Sequence, residues 1–83
     1  MNVAQLFRQA REAKGLSQQA LAAEAGLSWS TVSRTELGKL LPTGLTLFTM
    51  ADTLDVSYEQ LRLAVYESAG VPAPAAADEA LTV

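Results

Sequence analysis

The 83-residue chain contains neither cysteine nor histidine. Without cysteine there is no disulfide framework, no thiol nucleophile and no thiolate zinc site. Without histidine the chain loses the usual general base, the commonest metal ligand and the side chain that switches charge near neutral pH. Carboxylates remain, but the nine acids are scattered and the one close pair is Asp78-Glu79 near the end. No catalytic residue, metal site or cofactor is expected, and an enzyme is the least favoured class. Long apolar runs are missing too, and nothing approaches the roughly 20 residues of a membrane span. The opening "MNVAQLFRQAREAK" interleaves charges with its apolar residues and lacks the apolar core of a signal peptide. A cytoplasmic protein with no membrane partner is the expectation.

Basic side chains are few, six against nine acids, for a net charge of −3. That balance argues against nucleic acid until its distribution is considered. Residues 1–41 carry five basic and three acidic side chains, a net +2, whereas residues 42–83 carry one against six, a net −5. An acidic protein can still bind DNA if its cations share a face.

What the chain does have is one boundary device, repeated. A polar cap is preceded by an apolar residue that can staple to another apolar residue four positions past the cap. Asn2 lies between Met1 and Leu6, Ser17 between Leu16 and Leu21, Ser28 between Leu27 and Val32, and Ser57 between Val56 and Leu61. Gln5 and Gln60 complete two capping boxes, while Gly15, Gly26 and Gly38 stand where left-handed helix ends belong. These signals predict five helices, over about 3–14, 18–25, 29–37, 44–54 and 58–69, with no strand. The fold class is all-α. Val3, Leu6, Phe7, Ala10 and Ala13 form the apolar stripe of the first helix; Leu47, Phe48, Met50, Ala51 and Leu54 form that of the fourth. The last helix is apolar on more than one side, with Leu61, Ala64 and Val65 on one flank and Leu63 and Tyr66 on another. The surplus predicts a homodimer contact at Leu63 and Tyr66. Residues 1–69 are read as one domain, and 70–83 as an Ala/Pro-rich acidic, flexible tail, with "ADEALTV" a possible partner-binding segment.

Residues 17–37 carry a helix-turn-helix pattern. Ala22 is small where a second helix must approach closely, Gly26 supplies the positive φ of the turn, and Leu21, Ala25, Leu27 and Val32 form the wedge between the helices. "AREAKGLSQQALAAEAGLSWSTVSRTELGK", then a proline and "TLFTMADTLDVSYEQL", resembles the phage-repressor and xenobiotic-response-element family of helix-turn-helix regulators. The resemblance covers residues 3 to about 64. It implies a five-helix lambda-repressor-like domain, usually dimeric, acting as a bacterial or phage transcriptional regulator. It also implies that Gln18 docks on phosphate, that Trp29, Ser30 and Ser33, with Arg34 one position on, enter the major groove, and that Gly38 and Lys39 lean on the DNA backbone. Arg11 and Glu36 occupy the positions at which the family commonly ties its first helix to its third.

The chemistry is compatible with those roles. Arg34 can grip guanine O6 and N7 in a bidentate contact, whereas Ser30 and Ser33 specify weakly. Lys14 and Lys39 suit phosphate, and Arg8 is either a backbone contact or a solvated charge. Ser28 is first of all a cap, and is grouped with Gln18, Lys14, Lys39 and Arg8 on the phosphate side. Arg8, Lys14, Arg34 and Lys39 would give a dimer a salt slope of about −5 to −7 if six to eight contacts form.

The chain departs from the family pattern at Trp29 and Leu37, where polar or basic residues are more usual, and at Thr35, where an aliphatic one is. Gly44 stands in place of a leucine, with Leu45 expected to compensate. Trp29 has three readings: contact with a thymine methyl or the groove wall, packing on Leu40 and Leu41, or membership with Leu37, Leu40 and Leu41 of a protein-binding patch. The leading expectation is a dimeric reader of a pseudo-palindromic double-stranded DNA operator, more plausibly a repressor than an activator. The alternative is a helix-turn-helix interaction module for a protein partner, as an antitoxin or anti-regulator would be.

Overall fold

The computed structural model describes residues 1–74. Five helices follow in order: α1 Val3–Ala13, α2 Gln18–Ala25, α3 Trp29–Glu36, α4 Gly44–Thr53 and α5 Tyr58–Ala69. Among the described residues there is no strand, and no helix is long and apolar enough to cross a membrane. The expected tail lies mostly outside the described residues, and "ADEALTV" lies wholly outside them.

Four helices begin as their caps dictate. Asn2 accepts from the Gln5 amide at 2.9 Å while the Gln5 side chain accepts from the Asn2 amide at 3.0 Å. Ser57 and Gln60 repeat that reciprocal box before α5. Ser17 accepts from the Ala20 amide at 3.0 Å and Ser28 from the Thr31 amide at 3.2 Å. Each such bond satisfies one of the orphan amides of a first helical turn, and a cap of this kind contributes about 0.5–2 kcal/mol. α4 is the exception, because its cap residue Thr43 makes no side-chain capping bond and its first residue, Gly44, has φ +53°. That conformation strains any residue with a β-carbon, which is a physical reason for glycine here.

The register of α4 corrects two expectations. Leu47, Met50, Ala51 and Leu54 are spaced i, i+3, i+4, i+7 and are all buried. Leu45 is two positions before Leu47, about 200° around the helix, and so faces away from the core. It is 82% exposed and does not replace a core leucine. Phe48 sits about 100° from the centre of the stripe and is half exposed rather than core. Ala13 is likewise in register with the α1 stripe yet exposed, because it is the last helical residue before the chain turns through Lys14 and Gly15.

The core gathers around Phe7, Leu21, Val32 and Met50, with Val3 and Thr35 also fully buried. α3 packs on α1 and α2, α2 also packs on α4, and α1 packs on α5. Thr35 stands where an aliphatic residue was expected, and its hydroxyl donates to the Thr31 carbonyl at 2.7 Å. A buried hydroxyl bonded within its own helix leaves no unsatisfied donor, so threonine is tolerated there.

Candidate nucleic-acid interface

The turn between α2 and α3 is set by Gly26 at φ +69°, whose left-handed backbone lets the Leu27 amide close on the Ala22 carbonyl at 2.8 Å. Ser28 then starts α3. From that fixed start, the 3.6-residue period sorts α3 into two faces. Val32, Thr35 and Glu36 face inward. Ser30, Ser33, Arg34 and Leu37 share the outer face at i, i+3, i+4, i+7, and Trp29 stands at its leading edge. Trp29 is 53% and Leu37 65% exposed, and Arg34 and Ser30 are also exposed. Ser33 is half-buried. Sequence had grouped Trp29, Ser30, Ser33 and Arg34 on one surface, and the structure places them together there.

The inner face is held by charge. Glu36, its side chain only 3% exposed, receives both arms of Arg11, Nε at 2.7 Å and Nη2 at 2.9 Å. The remaining Arg11 nitrogen donates to the Leu16 carbonyl at 2.7 Å, and the Gln18 amide donates to Glu36 at 3.1 Å. One carboxylate thus joins α1, the start of α2 and the end of α3. Its hydrogen bond raises the Arg11 pKa above the ordinary value, against an opposing effect of burial. Gln18, expected on phosphate, is thereby engaged internally, a contact that sequence reasoning missed. It lies at the first turn of α2, but the carboxylate it meets is 18 residues away and no local pattern signals it.

The cations expected on phosphate divide sharply. Arg8 pairs with Glu12 at 3.5 Å, an exposed i,i+4 pair legible in the sequence spacing. Lys14 pairs with Asp55 at 2.5 Å, across 41 positions of chain that no local rule connects. Arg62 is held by Glu59 at 3.2 Å and also lies over the Tyr66 ring. Among the described residues only Arg34 and Lys39, of six basic side chains, have no acidic partner. Lys39 is held near Arg34 by backbone, since the Lys39 and Leu40 amides both donate to the Arg34 carbonyl, at 2.9 and 3.2 Å. Glu36, the acid between them in sequence, is turned inside. The outer face of α3 therefore carries the free charge of Arg34 and no carboxylate, and Lys39, also without an acidic partner, lies exposed in the turn that follows the helix. Ser28 acts as the cap, its hydroxyl also 2.8 Å from Thr31 and 3.2 Å from Ser30.

Of the residues expected in an apolar patch, Trp29 and Leu37 are exposed at opposite ends of α3. Leu40 and Leu41 line a shallow hollow with Val3, Ala4, Thr35 and Ser68, at the far end of α3 from Trp29. On α5, Leu63 and Tyr66 lie on the outward side. Leu63 borders a hollow with Met1 and Leu6, and Tyr66 borders a groove with Phe48 and Tyr58. No group of described residues could hold a metal ion.

Comparison with known proteins agrees with this geometry. Residues 7–61 match the helix-turn-helix family model. An uncharacterized HTH-type transcriptional regulator, y4dJ, of Sinorhizobium fredii is 38% identical over 55 residues, which span 66% of this chain and 71% of the relative. No solved structure matches. With that match and five helices without a strand among the described residues, the fold is the all-α lambda-repressor-like one.

Proposed function

The chain belongs to the helix-turn-helix family of DNA-binding transcriptional regulators, and from that premise we propose that it binds a pseudo-palindromic operator as a homodimer. The observation that carries this reading is the charge pattern at α3: Arg34 on its outer face and Lys39 in the turn that follows are exposed and unpaired, while the local acid, Glu36, is turned inside. Arg34 reads guanine with Ser30 and Ser33 beside it, and Trp29 lies against the groove at the leading edge. Lys39 neutralises phosphate. Gln18 and Ser28 present the amide ends of α2 and α3 to the backbone, where helix N-termini favour anions. Arg8 adds to the phosphate set when its exposed bond to Glu12 opens. Lys14, held by Asp55, contributes least.

Dimerisation supplies what one subunit lacks. Two free cations per subunit become four in a dimer, and four released counterions give a salt slope of about −3 to −4. That is shallower than the slope expected when Arg8 and Lys14 were counted as free beside Arg34 and Lys39. The outward side of α5, with Leu63 and Tyr66 and the exposed Phe48 and Tyr58 adjoining, is the surface for the second copy. Two recognition helices would then enter successive major grooves about 34 Å apart. Bound there, the dimer occludes a promoter, so repression is the favoured sign of regulation. Residues 1–69 are the folded reader.

Fluorescence anisotropy with duplexes from the chain's own upstream region, repeated across salt, tests the reading. Tight binding to one such duplex with a slope near −3 to −4 is expected. Affinity no better than for random DNA would overturn it. For the dimer, Tyr66→Asp is expected to halve the mass in light scattering, and an unchanged mass would move the interface elsewhere. A second reading, docking of a protein on α3, is favoured by the exposure of Trp29 and Leu37. Binding that hardly responds to salt would support it.

A further inference from the structure

The outer face of α3 is polar in the middle and apolar at both ends. Trp29 at its first position and Leu37, which caps its end, are 53% and 65% exposed, and no element of the fold covers either. They are eight positions apart, about 12 Å along the helix axis. Ser30, Ser33 and Arg34 lie between. We propose that this is a two-point apolar readout in which Trp29 and Leu37 each seat the 5-methyl group of a thymine, on either side of the guanine gripped by Arg34. The inference rests on the DNA-reading role of α3 and names what that role would recognise.

The physical reason is the scarcity of apolar surface in the major groove. Base pairs display donors, acceptors and a single kind of apolar group, the thymine methyl. A leucine has no hydrogen-bonding group, so opposite any other base edge it strips water from a donor or acceptor without replacing the bond. Tryptophan has one donor and otherwise the same constraint. Serine at two of the three intervening positions is short and gives little discrimination of its own, which leaves Arg34 and the two apolar ends as the informative contacts. At 3.4 Å per base pair, a span of about 12 Å places the two thymines roughly three base pairs apart.

The test uses the full chain and needs no knowledge of the natural operator. A randomised duplex library is selected on the protein, and the enriched duplex is remade with deoxyuridine for thymidine one position at a time. Two thymines about three base pairs apart in each half-site are expected, flanking or overlapping a guanine. Each loss of a methyl should weaken binding roughly fourfold, equivalent to about 0.8 kcal/mol for one buried carbon. Leu37→Asn should abolish the thymidine-over-deoxyuridine preference at one position only, and Trp29→Ser at the other. Both side chains are exposed, so neither change should disturb folding, and circular dichroism checks this. A selection that enriches no sequence overturns the DNA-reading role itself. An enriched sequence bound equally well with deoxyuridine throughout leaves that role standing and overturns the apolar readout. A library in which 5-methylcytosine replaces cytosine distinguishes the source of the methyl: enrichment only from that library overturns thymine as the ligand. DNA binding unaffected by either substitution also overturns the proposal, and assigns the pair to a protein partner instead.

Discussion

Two charged residues on α3, two positions apart, meet opposite fates. Glu36 is nearly sealed from solvent and bonded by both Arg11 and Gln18, whereas Arg34 stands in solvent with no acidic partner. The inner face spends its charge on holding three helices together. The outer face keeps its charge available. Had Glu36 been exposed, it would have stood on the same helix as Arg34 and three positions before Lys39, and weakened their attraction for phosphate. Burying it serves stability and recognition at once, and a protein with net charge −3 can therefore still offer a positive face.

That contrast can be broken from either side, and the largest effect is expected on the inner one. Glu36→Ala leaves the Arg11 guanidinium partly buried without its partner and should cost about 3–5 kcal/mol. Total stability for such a domain is about 5–15 kcal/mol, so urea unfolding should show a much lower midpoint or a largely unfolded protein. The pair replacement Arg11→Met with Glu36→Leu should recover most of that loss, because it removes both charges together. No recovery would mean that the ion pair is not what joins the faces. On the outer side, Arg34→Ala should leave unfolding within about 0.5 kcal/mol of the parent while discrimination against the wrong base falls by about 1–3 kcal/mol. A stability loss as large as that of Glu36→Ala would erase the distinction between the faces.

Ser28 lies at the boundary and sharpens the comparison. Ser28→Ala should destabilise by about 0.5–2 kcal/mol through loss of the cap. Ser28→Asp should keep the cap and the stability but weaken binding to every duplex by adding a negative charge beside the reading face. Weakened unfolding in both variants would make Ser28 more than a cap. The smallest effect is expected from Lys39→Ala, which should lower affinity about equally for all sequences and reduce the salt slope by about 1 per subunit. A measured parent slope steeper than about −6 would mean that Arg8 and Lys14 leave their acids when DNA arrives.

How much of this was legible depended on the range of the interaction. The helix boundaries fall within one residue of expectation, because Asn2, Ser17, Ser28 and Ser57 cap amides only three residues on. The composition of the α3 outer face was also legible, since the cap sets the start and the helical period sets the rest. The pairing of Arg11 with Glu36 was anticipated only through family resemblance. The bond from Gln18 to Glu36 and the capture of Lys14 by Asp55 were not anticipated, and each joins residues brought together only by packing. α4 misled for a related reason. Leu45 looked like a substitute for a missing leucine, but the direction of a side chain follows the phase of its helix, and that phase begins at Gly44.

By itself, then, the sequence determined five helices, their ends, the glycine turn and which side chains α3 presents, because all of these are settled by bonds reaching three or four residues along the chain. Only the tertiary structure decided which charges remain free. Of the six basic side chains, Arg8 and Arg62 pair with acids on their own helices at spacings visible in the sequence, but it is the cross-chain contacts of Arg11 with Glu36 and Lys14 with Asp55 that leave Arg34 and Lys39 as the free ones. A charge is neutralised by whatever lies within a few ångströms in space, and for Arg11 and Lys14 that neighbour is chosen by packing and not by position along the chain.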